Sequence, residues 1–320
     1  MKRSRKVGVY TGEQLNRYGF GDDHPLQESR IYAFWDEMHR RDLDFQITAL
    51  DPVLATEEQL LLFHTPEYVD KVKQYSAHGE GFLDYGDTPA YKGIFEDASH
   101  VVGTVVDAVQ RVMTNQLRRV FVPIAGLHHS MPDAASGFCV FNDVGVAIHT
   151  LLNEYSLERI GYVDIDAHHG DGVFYAFEEE PRVIVADIHE DGRYLFPQTG
   201  FAYETGKGEA RGRKLNLPLL PLANDGDFFM MWENVVKFIR QWEPQFIILN
   251  CGADGLQGDP LTHLHYTVRT HITAATDMCA IAEEFADGRI VAVGGGGYEL
   301  SNISQAWTAV VNAFLEAPMR

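Results

Sequence analysis

Cysteine is scarce in this 320-residue chain: Cys139, Cys251 and Cys279, with no Cys-x-x-Cys. An odd, scattered trio excludes a disulfide framework and a thiolate zinc cluster, and it fits a reducing compartment. Long apolar runs are missing as well. No stretch approaches the ~18 consecutive apolar residues of a membrane span. Met1 to Lys6 resembles the charged start of a secretory leader, but Val7-Gly8-Val9-Tyr10 breaks at Thr11-Gly12-Glu13 before an apolar segment develops. The expectation is a cytoplasmic protein with no membrane partner. Positive charge is in deficit, with 26 Lys and Arg against 46 Asp and Glu, a net charge of −20. A field of that sign repels phosphate backbones, which argues against nucleic acid as a partner. Linkers, internal repeats and low-complexity segments are absent, so residues 1–320 are expected to form one domain. The composition sets no oligomeric state.

What the chain does contain is an alternation of short apolar runs with amphipathic segments. Strands are expected at Val7–Tyr10, Phe45–Thr48, Val120–Ile124, Arg159–Val163, Val183–Ile188, Lys214–Leu217, Phe246–Cys251 and Ile290–Val293. Helical patterns separate most of them, while Thr11–Asp23, Ser76–Tyr91 and Gly126–Phe141 read as loops. This is the signature of an α/β fold, a mostly parallel eight-stranded sheet with helices on both faces. In such sheets ligands bind outside the carboxyl ends of the strands.

The strongest chemical signal follows the fourth strand, in Tyr162-Val163-Asp164-Ile165-Asp166-Ala167-His168-His169-Gly170-Asp171-Gly172. Asp164, Asp166 and His168 alternate, which in extended chain puts them on one side. Ionisable groups crowded at a strand end are costly unless they hold a cation or one another. Asp and His are oxygen and nitrogen ligands suited to zinc or ferrous iron. Asp254, after the apolar strand Phe246–Cys251 and between glycines, is the natural third ligand. A turn-forming Asp beside Gly is the plainer alternative. Two carboxylates and one imidazole leave a coordination position open, as in catalytic sites, where a bound water is acidified.

Hydrolysis also needs proton transfer. His128-His129 supplies two imidazoles, and Asp164 and Asp171 are spare acids that can stand behind them. His129 backed by Asp171 is then a general base and acid, with His128 backed by Asp164 tuning the charge. Tyr298 follows Gly294-Gly295-Gly296-Gly297, a backbone able to pack against a site. Its phenol is suited to bonding an oxyanion, or else it is an interface aromatic. Phe138, beside Gly137, and Phe196, before Pro197, are either core or the sides of an apolar slot.

Taken together, Leu127-His128-His129-Ser130, Ala135 to Asp143, Asp164 to Gly172, Gly252-Ala253-Asp254, Gly258-Asp259-Pro260 and Gly294 to Tyr298 resemble the zinc-dependent histone deacetylase superfamily. The motifs stand in the family's order and, with His24-Pro25 and Arg30, cover nearly the whole chain. The resemblance implies an arginase-like fold and hydrolysis of N-acyl amides. It implies zinc, or ferrous iron in the cell, on Asp166, His168 and Asp254, with His128, His129, Tyr298, Asp164 and Asp171 as the catalytic set. Phe138 and Phe196 become walls of an acyl-lysine tunnel, Asp87 a rim acid that holds the substrate backbone, Leu261 a pocket residue, and Arg30 part of an internal channel. Gly137 and Gly296 complete the expected substrate-binding set. The family's structural potassium site would lie near Asp164, Asp166 and His168, with Asp187 standing where a serine is usual. Length and the run Asp259-Pro260-Leu261-Thr262-His263-Leu264 are most similar to acetoin-utilisation-type deacetylases. The implied substrate is an acyl-lysine peptide or protein. The alternative is an acetylpolyamine or other small N-acyl amine.

Two rivals are weaker. An arginase-type binuclear site needs an Asp two residues after the ligand His, where this chain has Gly170. A non-catalytic acyl-binding module predicts loss of Tyr298 or the histidines, and all three remain.

Overall fold

The computed structural model describes residues 6–21 and 23–319. The charged start read above, Met1 to Arg5, lies outside them. The apolar runs become eight strands: β1 (Val7–Tyr10), β2 (Thr48–Leu50), β3 (Arg119–Val122), β4 (Ile160–Asp164), β5 (Val183–Glu190), β6 (Lys214–Leu219), β7 (Phe246–Asn250) and β8 (Ile290–Val293). They form one sheet in the order β2-β1-β3-β8-β7-β4-β5-β6. Every neighbouring pair is parallel, so the sheet is wholly rather than mostly parallel. β1, β3, β4, β5, β7 and β8 are buried along their whole length, which is why they read as continuous apolar runs.

Ten helices, α1 (Glu13–Asn16), α2 (Ser29–Arg40), α3 (Glu57–Leu60), α4 (Pro66–His78), α5 (Ile94–Met113), α6 (Asp143–Asn153), α7 (Asp171–Ala176), α8 (Asp225–Trp242), α9 (Arg269–Phe285) and α10 (Leu300–Glu316), cover the sheet among the described residues. α2, α10, α9 and α8 pack in succession in one layer, and α3, α4 and α6 gather around α5 in the other. Their ends follow local chemistry. α4 starts on Thr65, whose hydroxyl accepts from Tyr68 N ahead of Pro66, and stops at Gly79 with φ 79°. Asn224 and Asp227 form a reciprocal capping box at α8.

Two expectations were displaced. α1 falls inside Thr11–Asp23, read as loop. It is a single turn that buries only Leu15 and has no side-chain cap, so it leaves no periodicity to read. The second strand pairs Gly8 with Thr48 and runs to Leu50 instead of spanning Phe45–Thr48. Phe45, counted as strand for its apolarity, is 68% exposed.

The chain leaves β3 and passes two sheet positions before re-entering at β4, so β8 and β7 are threaded between them later. The carboxyl ends of β3, β8, β7 and β4 therefore meet, and the loops that follow these four strands carry the polar residues singled out above.

Candidate active site

β4 ends at Asp164, so strand alternation does not itself place Asp166 and His168. A ladder of side-chain caps does. Asp164 Oδ1 accepts from Asp166 N (3.0 Å), and Asp166 Oδ1 accepts from His168 N (2.9 Å). Each carboxylate satisfies the amide two residues on, an Asx turn repeated. The spacing of two survives, with a different cause.

The ladder delivers Asp166 and His168 to Asp254 from the β7 loop. One ligand atom from each lies within 4.8 Å of the others, and all three residues are buried. His168 Nδ1 faces both acids, 3.2 Å from Asp166 Oδ1 and 2.9 Å from Asp254 Oδ2. The remaining carboxylate oxygens are tied to backbone: Asp166 Oδ2 accepts from Gly296 N (2.6 Å) and Asp254 Oδ1 from Ala167 N (2.9 Å). Burial and the Asp166 charge push the Asp254 carboxyl above the usual range. Burial opposes a charge on His168, but Asp166 and Asp254 outweigh it and push the ring up to about 10. Two buried acids and the imidazole between them present three ligand atoms to one point. The N/O donor set fits zinc or ferrous iron. Gly296 lies against these acids; a Cβ there would strike both Asp254 Oδ2 and Asp166 Oδ2.

Beside the ligand set stand two acid–imidazole pairs. His128 Nδ1 meets Asp164 Oδ2 at 2.8 Å and His129 Nδ1 meets Asp171 Oδ1 at 2.7 Å. Their Nε2 atoms are 3.1 Å apart. Burial opposes charge on His128, yet Asp164 and Asp166 outweigh it and push it up to about 10. Burial and the His128 charge hold His129 down to about 4, against the pull of Asp171. One proton thus sits between the two Nε2 atoms, on the His128 side. A neutral His129 with Nδ1–H fixed by Asp171 keeps its lone pair on Nε2 and is able to accept a proton. A divalent cation on Asp166 would weaken that acid's hold on His128 and draw its value down.

Tyr298 is half-buried. Burial, then Asp254 and Asp166, raise its phenol far above the ordinary value, so it is a neutral donor. Its ring stands edge-on to Phe138 at 5.8 Å, and Phe196 stands edge-on to His129 at 5.0 Å. Leu26, His129, Gly137, His168, Gly296 and Tyr298 line a narrow cleft, and the two phenylalanines pack against two of these residues, Phe138 on Tyr298 and Phe196 on His129. Gly137 has φ 52°, and a Cβ there would meet His129 at 2.7 Å and Phe196 at 2.9 Å, so no larger residue fits without moving both. Phe138 itself has φ 67°. Tyr18 braces it: its hydroxyl donates to Phe138 O (2.7 Å) and accepts from Val140 N (3.1 Å). Asp87 is exposed on the loop 82–89, which Asp84 organises by accepting from Gly86, Asp87 and Thr88 N. His24 links this loop to the cleft, meeting Asp87 O at 3.1 Å while its ring packs on Phe138 at 4.6 Å. Leu261 is half-buried in the loop after Asp254. Arg30 is buried behind the cleft and donates to Gly295 O (2.5 Å). Both Asp187 oxygens are engaged, by His189 Nδ1 (2.6 Å) and Gly170 N (3.0 Å).

Several residues of the site have roles that the sequence reading did not assign. Asp143 accepts from Gly126 N and Leu127 N at 2.8 and 2.7 Å and so fixes the loop bearing His128 and His129. Asn250 Nδ2 and the Tyr162 hydroxyl both donate to Asp164 Oδ2. Such partners are remote in sequence, or look like ordinary strand residues.

Comparison with known proteins accords with this geometry. Residues 24–314 match the Histone deacetylase domain family. The chain is 36% identical over 302 residues to Acetoin utilization protein AcuC of Bacillus subtilis (strain 168), covering 92% of this chain and 78% of that one. It is 31% identical over 313 residues to Histone deacetylase clr6 of Schizosaccharomyces pombe, covering 95% and 75%. Among solved structures, that titled Crystal Structure of HDA15 HD domain superposes with a TM-score of 0.89 at 24% identity, over 98% of this chain and 91% of that one, a likeness of fold. No described helix is long and apolar enough to cross a membrane. On the extent of the family match and the AcuC and clr6 identities, the chain belongs to the histone deacetylase family, as a deacetylase of the AcuC type with the arginase-like fold.

Proposed function

We propose that this deacetylase hydrolyses the ε-amide of acyl-lysine in peptides or proteins. The observation that carries the proposal is the convergence of Asp166, His168 and Asp254 within 4.8 Å, beside the neutral His129. Zinc, the family's usual ion, with ferrous iron as the alternative, would be held by these three residues. When bound it supplies an acidified water and a Lewis acid for the amide carbonyl. The chain's own residues do the rest. His129 Nε2 takes a proton from the attacking water and returns it to the leaving amine. Asp171 keeps the ring in the tautomer that makes this possible. His128, charged and held by Asp164, stabilises negative charge as it forms. The Tyr298 phenol donates to the oxyanion, a contribution worth ~3–4 kcal/mol in comparable sites. Phe138 and Phe196 flank the aliphatic stem, with Gly137 and Gly296 keeping the floor open. Leu261 borders the slot, and Asp87 accepts from substrate backbone amides at the rim. Residues 1–320 act as one catalytic unit in this reading. A potassium ion near Asp164, Asp166, His168 and Asp187 belongs to the same reading. We expect the rate to differ between sodium and potassium buffers, and equal rates would remove the ion from this reading.

The test is release of free amine by zinc-loaded protein from acetyl-lysine peptides, acetylputrescine and acetylspermidine, with Asp254→Ala as blank. Preference for peptides supports the proposal. Preference for the polyamines replaces acyl-lysine with a small N-acyl amine, and no release from any of them sinks both.

A further inference from the structure

The loop between β7 and α9 includes five residues, Asp259 to His263, that the chemistry above barely uses. They are tied to the site and to the sheet by five side-chain hydrogen bonds. Asp259 is buried, at 8% exposure. Its Oδ2 accepts from Tyr298 N (2.8 Å) and its Oδ1 from Leu261 N (2.9 Å). Thr262 Oγ1 donates to Asp254 O (2.5 Å). His263 N and Nδ1 each donate at 2.8 Å to Glu190, a buried acid at the end of β5. One short turn thus touches the backbone of a metal-ligand candidate, of the phenol donor and of the slot residue, and anchors them to the sheet.

Tyr298 needs such a tether. The tetraglycine before it brings no side chain to fix its position, and Gly295 and Gly297 have φ values of 68° and 125°. Among the described residues, Asp259 is the hydrogen-bond partner of the Tyr298 amide. Each carboxylate oxygen accepts from one amide, an arrangement asparagine does not reproduce because one of its two terminal atoms is a donor.

We propose that Asp259 is a positioning residue. It sets where the Tyr298 phenol stands, and through Leu261 it locks that position to the substrate slot. The proposal rests on the reading of Tyr298 as oxyanion donor. Loss of the tether lets the phenol drift from its productive place while the metal-ligand set, held by other bonds, stays intact.

The experiment is a double-mutant cycle on the zinc-loaded protein with an acetyl-lysine peptide: Asp259→Ala, Tyr298→Phe, the pair together, and Asp259→Asn. We expect Asp259→Ala to lower kcat about 10- to 100-fold, the cost of a small misplacement. KM and zinc content should stay close to wild type, while the melting temperature falls with the loss of two buried hydrogen bonds. In the Tyr298→Phe background the same change should cost little further, because the group it positions is gone. Asp259→Asn should fall between, since its amide oxygen still accepts one N–H. Equal fractional losses with and without the phenol would overturn the proposal, as would wild-type kcat in Asp259→Ala beside a slow Tyr298→Phe. Should Asp259→Ala fail to fold, Asp259→Asn runs the same cycle under the same criteria. A Tyr298→Phe protein at wild-type rate would remove the oxyanion role itself, and this inference with it.

Discussion

The two ends of the sheet bury charge in opposite ways. At the amino end the buried charges are cations, and the protein surrounds them with oxygen. Arg119 on β3 donates to Phe314 O, Ala317 O and Pro318 O and pairs with Glu283. Lys214 on β6 donates to the carbonyls of Glu180 and Val183. At the carboxyl end the buried charges are acids in excess, Asp164, Asp166, Asp254 and Asp259, facing imidazoles and the Arg30 guanidinium. A buried charge whose partners are all internal does structural service. A buried excess of one sign, which forces a proton onto the ring between two acids, marks a place for a cation from outside.

The comparison breaks if the acid-rich end proves self-sufficient. Asp254→Ala should abolish zinc binding and reduce turnover to background, read by metal analysis and amine release on one sample. A protein that loses the acid and keeps its zinc would refute the ligand assignment. Next in size, Tyr298→Phe should keep the metal and lose ~10²- to 10³-fold in kcat, the usual cost of one oxyanion donor.

The paired imidazoles sharpen the contrast. His129→Ala should cost ~10²- to 10⁴-fold, as loss of a general base does. His128→Ala should cost less and move the pH profile. His129 works only when neutral, so activity falls as pH drops through its pKa, held at about 4 partly by the His128 charge. Removing that charge raises the value, and the acid limb of kcat/KM should shift to higher pH. An unshifted limb would separate the two rings electrostatically.

Zinc affinity itself should climb with pH. His168 in the metal-free protein holds its proton up to about 10 and must release it to become a ligand, so affinity gains about tenfold per pH unit below that value. Chelator competition at several pH values reads the slope, and a flat line would remove His168 from the ligand set.

The smallest effect belongs to the amino end. Burial holds the Lys214 ammonium down to about 7. Between that pH and the ordinary lysine value the unfolded chain binds the extra proton, so stability should rise as pH is raised through this window. Lys214→Met should flatten the rise in denaturant titrations and leave kcat alone.

How much of this was legible in the chain depended on whether a residue's reason was local. Asp166, His168 and Asp254 stood out because acids directly after apolar strands have no packing purpose. The sheet was legible because six of its strands are buried end to end. The roles of Asp143, Asn250 and Asp259 were not, because each bonds a group 16 or more residues away that only the folded topology brings near. The β2 register failed for a related reason: pairing with β1, rather than the apolarity of Phe45, decides where that strand lies.

The repeated Asx turn from Asp164 to His168 makes the site's most important span intolerant of changes in length. Each carboxylate there is at once a site group and the splint for the next. Substituting one residue therefore disturbs the geometry of its successor, and deleting one shifts every later side chain off its mark. Drift in this segment must proceed by exchange, never by indel. Lineages descending from such an ancestor would vary their reach for substrates around a five-residue span of constant length.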